Sequence, residues 1–492
     1  MATLSVLNQI QSNPAFPKIA PTLVMKFGGT SVGTAAAMAQ AAEIVVKEQR
    51  QWPQLAVIVS ALSGVTNLLL ESARNAVRGE VENCAAAECK LRQMHYAIAD
   101  VLLADKARCA AVKSDIDRLI ADFLNLCRAV SVLGEASPRA LDALASIGER
   151  LSVRLTAAVL QERGLRAEWV EATRLIATDS HFQDAHPDFA ATQTQTYAVL
   201  QPLFDQGVVP VVTGFLGSAP DGTVTTLGRG GSDYSAGILG AVLQADDVWI
   251  WTDVDGVMTA DPRAVPGACT IPELTYREIA ELAYFGAKVL HPKTIRPVIE
   301  VGAGLRICNT FNPSHPGTRL VTERLHRATQ IVQAVTAVRD QRLVTIEGRG
   351  MLGVPGVAAR AFAAVASTGT SVPLITQASS EQSICFAVPD AAAAAVVQAL
   401  QKTFAIELAD RDIDRIWASE AVVIITAVGQ GMIHTPGVAG KIFTVLGSRD
   451  INVIAIAQGS SEVSISLVTL AGDADAALRA LHTLTVNGGG HE

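Results

Sequence analysis

Short apolar runs alternate with longer amphipathic stretches through the first two-thirds of the chain. "LVMKFGG" (residues 23–29) closes one such run, a small-residue helical pattern follows over residues 34–49, and "LAVIVSAL" (residues 55–62) leads into another helix near Gly64. Apolar residues at consecutive rather than alternate positions, in strand–helix–strand order, predict a parallel sheet covered on both faces. Residues 80–154 are almost wholly helical in pattern, and "IDRLIADFLNLCRAV" places apolar residues at intervals of three and four. Strand-like runs return at "GVVPVVTGFLG" (207–217), "DVWIWTDV" (247–254) and "LRICNT" (305–310). Residues 21–320 therefore read as one αβα sandwich with a mainly parallel sheet, preceded by a flexible extension over residues 1–20.

The last third repeats itself. Residues 350–384 align without a gap on residues 431–465 at a constant offset of 81, as Gln377 to Gln458, and Gly350, Pro355, Gly356, Phe362 and Glu381 are among the positions that recur. Each copy reads strand, glycine turn, helix, strand, turn, strand, which is a duplicated small α+β module. The copies are expected at 335–415 and 416–492, with residues 321–341 as the linker and a carboxyl-terminal strand completing the first copy. "GRGMLG" (348–353) satisfies GxGxxG, but no acidic residue ends a second strand about twenty positions on. The second copy has His434 in place of the third glycine, so the motif reads as a tight turn.

Composition narrows the field. A chain of 492 residues exceeds one ordinary core. No apolar run approaches the roughly 18 residues a membrane span needs, and the amino terminus lacks the pattern of a secretory signal. A formal charge of −8 gives no electrostatic reason to bind nucleic acid or acidic lipid. Seven cysteines without a CxxC pair or a nearby histidine predict reduced thiols in a cytoplasmic protein and no protein-built metal site.

Candidate chemistry lies in four segments. In "LVMKFGGTSVG" (23–33), Lys26 points opposite to Phe27 on an extended strand. It is either a surface lysine beside a turn or a cation facing a cleft at the strand's carboxyl end, where open α/β sheets bind ligands. The cost of burying it without an anion favours the second. Gly28 and Gly29 let backbone N–H groups approach an anion, and the chain has no GxxxxGK[ST] phosphate loop. "TLGRGGSDYSA" (226–236) sets Arg229, two glycines, Ser232 and Asp233 before a helix expected near Tyr234. Arg229 offers a planar fork for a carboxylate or phosphate, and Asp233 suits either orienting a lysine or contacting Mg²⁺; a turn capped by Ser232 or Asp233 is the plainer alternative. "WTDVDGVMTADPR" (251–263) lacks the glycine position and final glutamate of a calcium loop. "YFGAKVLHPKT" (284–294) carries Lys288 on a predicted helix.

Together "KFGGTS", "VSALSGVTN", "GERLS", "TGFLG", "GRGGSDYSA", "WTDVDG", "ADPR" and "FGAKVLHP" resemble, in order, the motifs of the aspartokinase branch of the amino acid kinase family. The paired tail resembles its two ferredoxin-like ACT domains, so the likeness runs from Thr22 to the carboxyl end. It implies phosphorylation of the L-aspartate side chain by ATP with Mg²⁺, the first step of lysine, threonine and methionine biosynthesis. By this resemblance Lys26 and Asp233 are catalytic, and Ser60, Thr66, Glu149, Phe215, Arg229 and Ser232 hold aspartate. Lys26, Gly28, Gly29, Thr252, Asp253, Arg263 and Lys288 hold ATP, while Met258 stands where the family commonly has a tyrosine. ACT domains imply a homodimer or homotetramer and an amino-acid effector. Gln377 and Gln458, each in a QxSSE stretch, resemble the glutamines of threonine-inhibited members, which makes threonine the first expectation and lysine the second. Threonine-sensitive members are often fused to homoserine dehydrogenase, and no second catalytic domain is expected after "NGGGHE".

The residue types agree with this chemistry. A carboxylate with an ordinary pKa of about 3.9 is ionised at neutral pH and attacks phosphorus without a general base. It needs relief of charge repulsion and in-line alignment, which lysine, arginine and glycine N–H groups supply. Arg229 is expected on the α-carboxylate and Glu149 on the α-ammonium. Two rivals remain: a kinase for another small acid, against which "GRGGSD", "FGAKVLHP" and the paired tail speak, and a non-catalytic sensor, which would be expected to lose Lys26 or Asp233.

Overall fold

A computed structural model describes residue 16 and residues 18–285, 290, 292–324, 330–351, 354–377 and 382–486. The chain divides into two compact units. In the first, strands β1 (Thr22–Phe27), β2 (Gln54–Val59), β3 (Ala167–Val170), β4 (Val209–Thr213), β7 (Asp247–Thr252), β8 (Glu273–Thr275), β9 (Gly304–Asn309) and β10 (Thr318–Val321) form one eight-stranded sheet in the order β3-β4-β2-β1-β7-β9-β10-β8. All neighbours are parallel except β10, which opposes β9 and carries β8 with it. Every residue of β1 is buried, as expected of a central strand covered on both faces. A separate hairpin joins β5 (Leu216–Ser218) to β6 (Val224–Thr226).

The longer helices of this unit are α1 (Ala35–Gln49), α2 (Val65–Val77), α3 (Val81–Leu102), α4 (Lys106–Leu133), α5 (Pro138–Glu162), α6 (Phe189–Asp205), α7 (Gly231–Val242) and, later in the chain, α9 (Pro292–Glu300). The region expected to be helical over 80–154 is α3, α4 and most of α5. Asp105 caps α4 by accepting from the Ala107 and Arg108 N–H groups, and Ser137 caps α5 ahead of Pro138. Leu91, Ile98, Ile116, Phe123 and Leu151 join these helices to one core with Met25, Phe27 and Val57 of the sheet. Helix α7 begins at Gly231, earlier than the sequence suggested. Ser232 and Asp233 therefore stand in its first turn, and Gly230 takes the cap position.

The bundle encloses His95, which is 0% exposed. Its Nδ1 lies 2.7 Å from the Leu91 carbonyl, Nε2 has no hydrogen-bond partner among the described residues, and burial pulls its pKa down from 6.5 to about 4. As pH falls below 6.5 the unfolded chain takes up this proton while the folded chain does not until about 4. Stability should therefore drop across that window, by on the order of 3 kcal/mol. Urea midpoints measured against pH are expected to show this loss, and His95→Leu is expected to flatten it; an unchanged slope in His95→Leu would assign the loss to other groups.

In the second unit one six-stranded sheet runs in the order β12-β13-β11-β14-β16-β15, with β11 (Ala334–Glu347), β12 (Leu374–Gln377), β13 (Ser383–Pro389), β14 (Arg415–Val428), β15 (Ala455–Gln458) and β16 (Ser464–Leu470). Helices α10 (Val357–Ser367) and α11 (Asp390–Thr403) cover the first copy with a core around Phe386 and Leu400. Helices α12 (Val438–Gly447) and α13 (Ala474–Val486) cover the second around Ile442 and Leu481. These are the two α+β modules the repeat predicted, but they interlock. Residues 334–338 of β11 pair with 424–428, and residues 341–347 pair with 415–422, so each long strand serves both modules. Residues 334–341, read from the sequence as linker, are thus strand. The polar run Arg339, Asp340, Gln341 hid it, and there the ladder shifts register and Asp340 adopts φ +57°. The carboxyl-terminal strand expected to complete the first copy falls beyond the last described residue; the amino-terminal half of β14 lies beside β11 there.

This unit also takes in two earlier segments, Met258–Ile271 and residues 277–285, which include most of α8 (Tyr276–Tyr284). Val335 N–H donates to the Thr259 carbonyl (2.8 Å), and Ala260 and Val265 join the core of the second module. Gln430 N–H donates to Glu278 (2.7 Å) and the Ser464 hydroxyl to Glu281 (2.8 Å).

Candidate active site

The carboxyl ends of β1, β2 and β4 lie in register, Phe27 beside Val59 and Val59 beside Thr213. The chain leaves each of them into a turn. Alternation along β1 sends Phe27 into the core, 1% exposed and stacked on Trp251 at 5.9 Å, and turns Lys26 the other way. Lys26 is 8% exposed and forms an ion pair with Asp233. The first turn of α7 also favours a carboxylate. The two motifs, more than two hundred residues apart, meet here.

Around this pair a cavity of about 400 Å³ is lined by Lys26, Gly29, Ser60, Thr66, Glu149, Phe215, Arg229, Ser232 and Asp233, together with residues 61–64, 228, 230 and 231. Both predicted catalytic residues and all six predicted substrate residues thus share one concavity. Gly29 is needed at its wall, because a Cβ there would stand 2.8 Å from the Ala61 carbonyl. Phe215 sits at φ +67°, a strained setting for a bulky side chain, held by its N–H donating to Ser235 Oγ (2.9 Å). Arg229 lines the cavity while remaining exposed.

Glu149 is the unusual group. It lies in the buried middle of α5, 3% exposed. Oε1 accepts the Ala61 N–H at 3.3 Å, whereas Oε2 has no hydrogen-bond partner among the described residues. Burial lifts its pKa to about 8, against the opposing pull of the Ala61 N–H and the Lys26 charge. An orphaned, desolvated carboxylate oxygen facing a cavity is suited to a cationic ligand.

The residues expected at ATP are more scattered. Gly28 N–H donates to the Trp251 carbonyl at 3.2 Å, so an anion there must share or displace that bond. Thr252 ends β7 with its hydroxyl 3.2 Å from Asp253 Oδ1, and neither lines the cavity. Arg263 belongs to the second unit, exposed and paired with Asp261 at 2.6 Å, which holds the Asp261 carboxyl below its usual range. Lys288 lies outside the described residues. Gln377 and Gln458 end the equivalent strands β12 and β15, both exposed at the sheet's two edges. The sequence reading took only Ser60 and Thr66 from "SALSGVTN" and missed the turn between them, whose Ala61 N–H serves Glu149.

The model of the amino acid kinase family matches residues 21–309, and that of the ACT domain matches residues 344–404 and 425–484. The chain belongs to the amino acid kinase family. Within that family it is similar to the lysine-sensitive aspartokinase 3 of Escherichia coli, 33% identical across 94% of this chain and 98% of that one. It is 36% identical to the chloroplastic bifunctional aspartokinase/homoserine dehydrogenase 2 of Arabidopsis thaliana, across 98% of this chain and 52% of that protein. The chain spans about half the length of the first curated relatives it matches. Among solved structures, E. coli aspartokinase III in complex with aspartate and ADP aligns at TM-score 0.78 and 31% identity, covering 95% of this chain and all of that one. This amino acid kinase therefore stands in the aspartokinase branch with two carboxyl-terminal ACT domains. No helix of the described residues is long and apolar enough to cross a membrane.

Proposed function

We propose that this amino acid kinase transfers the γ-phosphoryl group of ATP to the side-chain carboxylate of L-aspartate, giving 4-phospho-L-aspartate. One observation carries the reading: a buried Lys26 paired with a partly buried Asp233, an exposed Arg229 and an orphaned Glu149 oxygen face one cavity of amino-acid size. Arg229 takes the α-carboxylate in its planar fork, and Glu149 takes the α-ammonium. The substrate's side-chain carboxylate then points toward Lys26. One of its oxygens forms a bond to the γ-phosphorus as the bond to the β,γ-bridging oxygen breaks, ADP leaves with that electron pair, and no proton moves. Lys26 neutralises charge on the transferring group, and Asp233 holds Lys26 in place. Among the described residues no group of three or more His, Cys, Asp or Glu could hold a metal. Mg²⁺ would arrive as the nucleotide's own ion and would add to the neutralisation of the phosphates, with Asp233, beside Lys26, as the residue that would contact it.

Threonine is the effector assigned to the ACT domains, with lysine the alternative; the support is the matched placement of Gln377 and Gln458 on equivalent edge strands. Edge strands also suit assembly into a homodimer or homotetramer through these domains. The cysteines are all free, which fits a reducing compartment such as the cytosol. Incubating the full chain with ATP, Mg²⁺ and aspartate, glutamate or N-acetylglutamate, then trapping acyl phosphate with hydroxylamine, is expected to give hydroxamate with aspartate alone. Absence of aspartyl hydroxamate would sink the activity. Millimolar threonine should suppress the same signal; suppression by lysine with none by threonine would reverse the effector.

A further inference from the structure

We infer that Asp142 is a positioning residue for the substrate, clamping the segment that carries Arg229 to the helix that carries Glu149. This rests on the aspartate reading of the cavity. Asp142 lies on α5 seven residues before Glu149, nearly two helical turns and so on the same face. It is 1% exposed and makes no ion pair among the described residues. Its three hydrogen bonds all come from segments beside Arg229. Oδ2 accepts from the Thr226 N–H (2.9 Å) and the Gln183 N–H (3.0 Å), and Oδ1 accepts from the Thr226 hydroxyl (2.7 Å). Burial pushes its carboxyl pKa up while these donors pull it down.

Thr226 is the last residue of β6, and Arg229 follows three positions on. Gln183 holds a left-handed backbone at φ +72°, an unfavourable setting for glutamine unless its surroundings fix it. The two segments also meet directly. Ala185 N–H donates to the Thr226 carbonyl at 2.9 Å, and a Cβ at Gly228 would stand 3.1 Å from the Gln183 carbonyl. Asp142 thus fixes both walls of the turn from which Arg229 projects. One rigid helix sets the distance between the group proposed for the substrate's ammonium and the turn proposed for its α-carboxylate. A buried acid that only filled space would be replaced at lower cost by an apolar residue.

Asp142→Asn keeps the side chain's shape and can leave its oxygen on the two N–H groups, but it removes the charge that strengthens all three bonds and sets an NH2 group where Oδ1 accepted, so that the Thr226 hydroxyl must turn to accept instead. In the full chain it is expected to raise the aspartate KM about tenfold or more, with the ATP KM near wild type. Thr226→Val removes only the hydroxyl donor and is expected to raise the aspartate KM about fivefold, and Thr226→Ser, which keeps it, to restore the wild-type value. If Asp142→Asn does not fold, the Thr226 pair decides. An aspartate KM within about twofold of wild type in the folded variants, or an equal rise in both KM values, overturns the inference. Wild-type protein that forms no acyl phosphate with aspartate removes both the reading and the inference; active wild type with unmoved variants removes the inference alone.

Discussion

Lys26→Met is expected to lower turnover by about a thousandfold or more, measured as ADP release at saturating aspartate and ATP. Methionine matches the lysine stem in length and leaves the β1 ladder untouched, so what is lost is one positive charge where the phosphoryl group passes. That charge sits at 8% exposure, where screening by water is weak and its electrostatic worth is high. The replacement also leaves the partly buried Asp233 without its cation, a change that costs up to about 3 kcal/mol, less than the loss of a partner in a fully buried pair. A stability loss must therefore be separated from a catalytic one. Lys26→Met combined with Asp233→Asn replaces the ion pair by neutral groups and should recover much of the melting temperature, with turnover still abolished. A single variant that stays folded and works within about tenfold of wild type would remove Lys26 from the chemistry.

The convergence of Lys26 with Asp233 was legible because each end carried its own local oddity: a cation in a buried strand pattern, and a guanidinium, glycines and a carboxylate before a helix. The duplicated modules were legible from self-similarity alone. Glu149 was named only through the family motif "GERLS"; nothing in its helical surroundings distinguishes a buried acid from an exposed one. Asp142 went unnoticed for the same reason, since a single aspartate in "PRALDALASIGERL" looks like a solvated helix face until the helix proves to be buried along its middle. The shared strands β11 and β14 were hidden by a polar interruption at Arg339, Asp340 and Gln341, which breaks the two-residue alternation without breaking the strand. The packing of Met258–Ile271 with the second unit has no local signature either, because it depends on contacts such as Thr259 with Val335 that join distant parts of the chain. Periodicity reports which face of an element is buried and is silent on what buries it.

Raising the pH from about 6 to about 8 is expected to lower the aspartate KM progressively, approaching tenfold per pH unit, before it levels. The cause is Glu149, whose pKa is about 8 because burial disfavours its charge. Below that value the free protein holds Glu149 protonated, and pairing it with the substrate's ammonium requires that the proton leave. The same shift has a signed consequence for stability. Between its unperturbed 4.5 and about 8 the folded chain binds this proton more tightly than the unfolded chain, so stability falls as pH rises through that window, and aspartate should offset the loss by supplying the missing cation. Glu149→Gln is neutral at every pH. Its aspartate KM should rise on the order of a hundredfold at pH 8 and lose its pH dependence, while the ligand-free variant should be more stable than wild type at pH 8 by on the order of a few kcal/mol. Both readouts are needed, since a weakened KM alone would follow from any damage to the cavity. A variant that binds poorly yet melts higher at alkaline pH identifies a carboxylate held ready, at a cost in stability, for a positively charged ligand. A variant that keeps the wild-type pH slope assigns the ammonium to some other group.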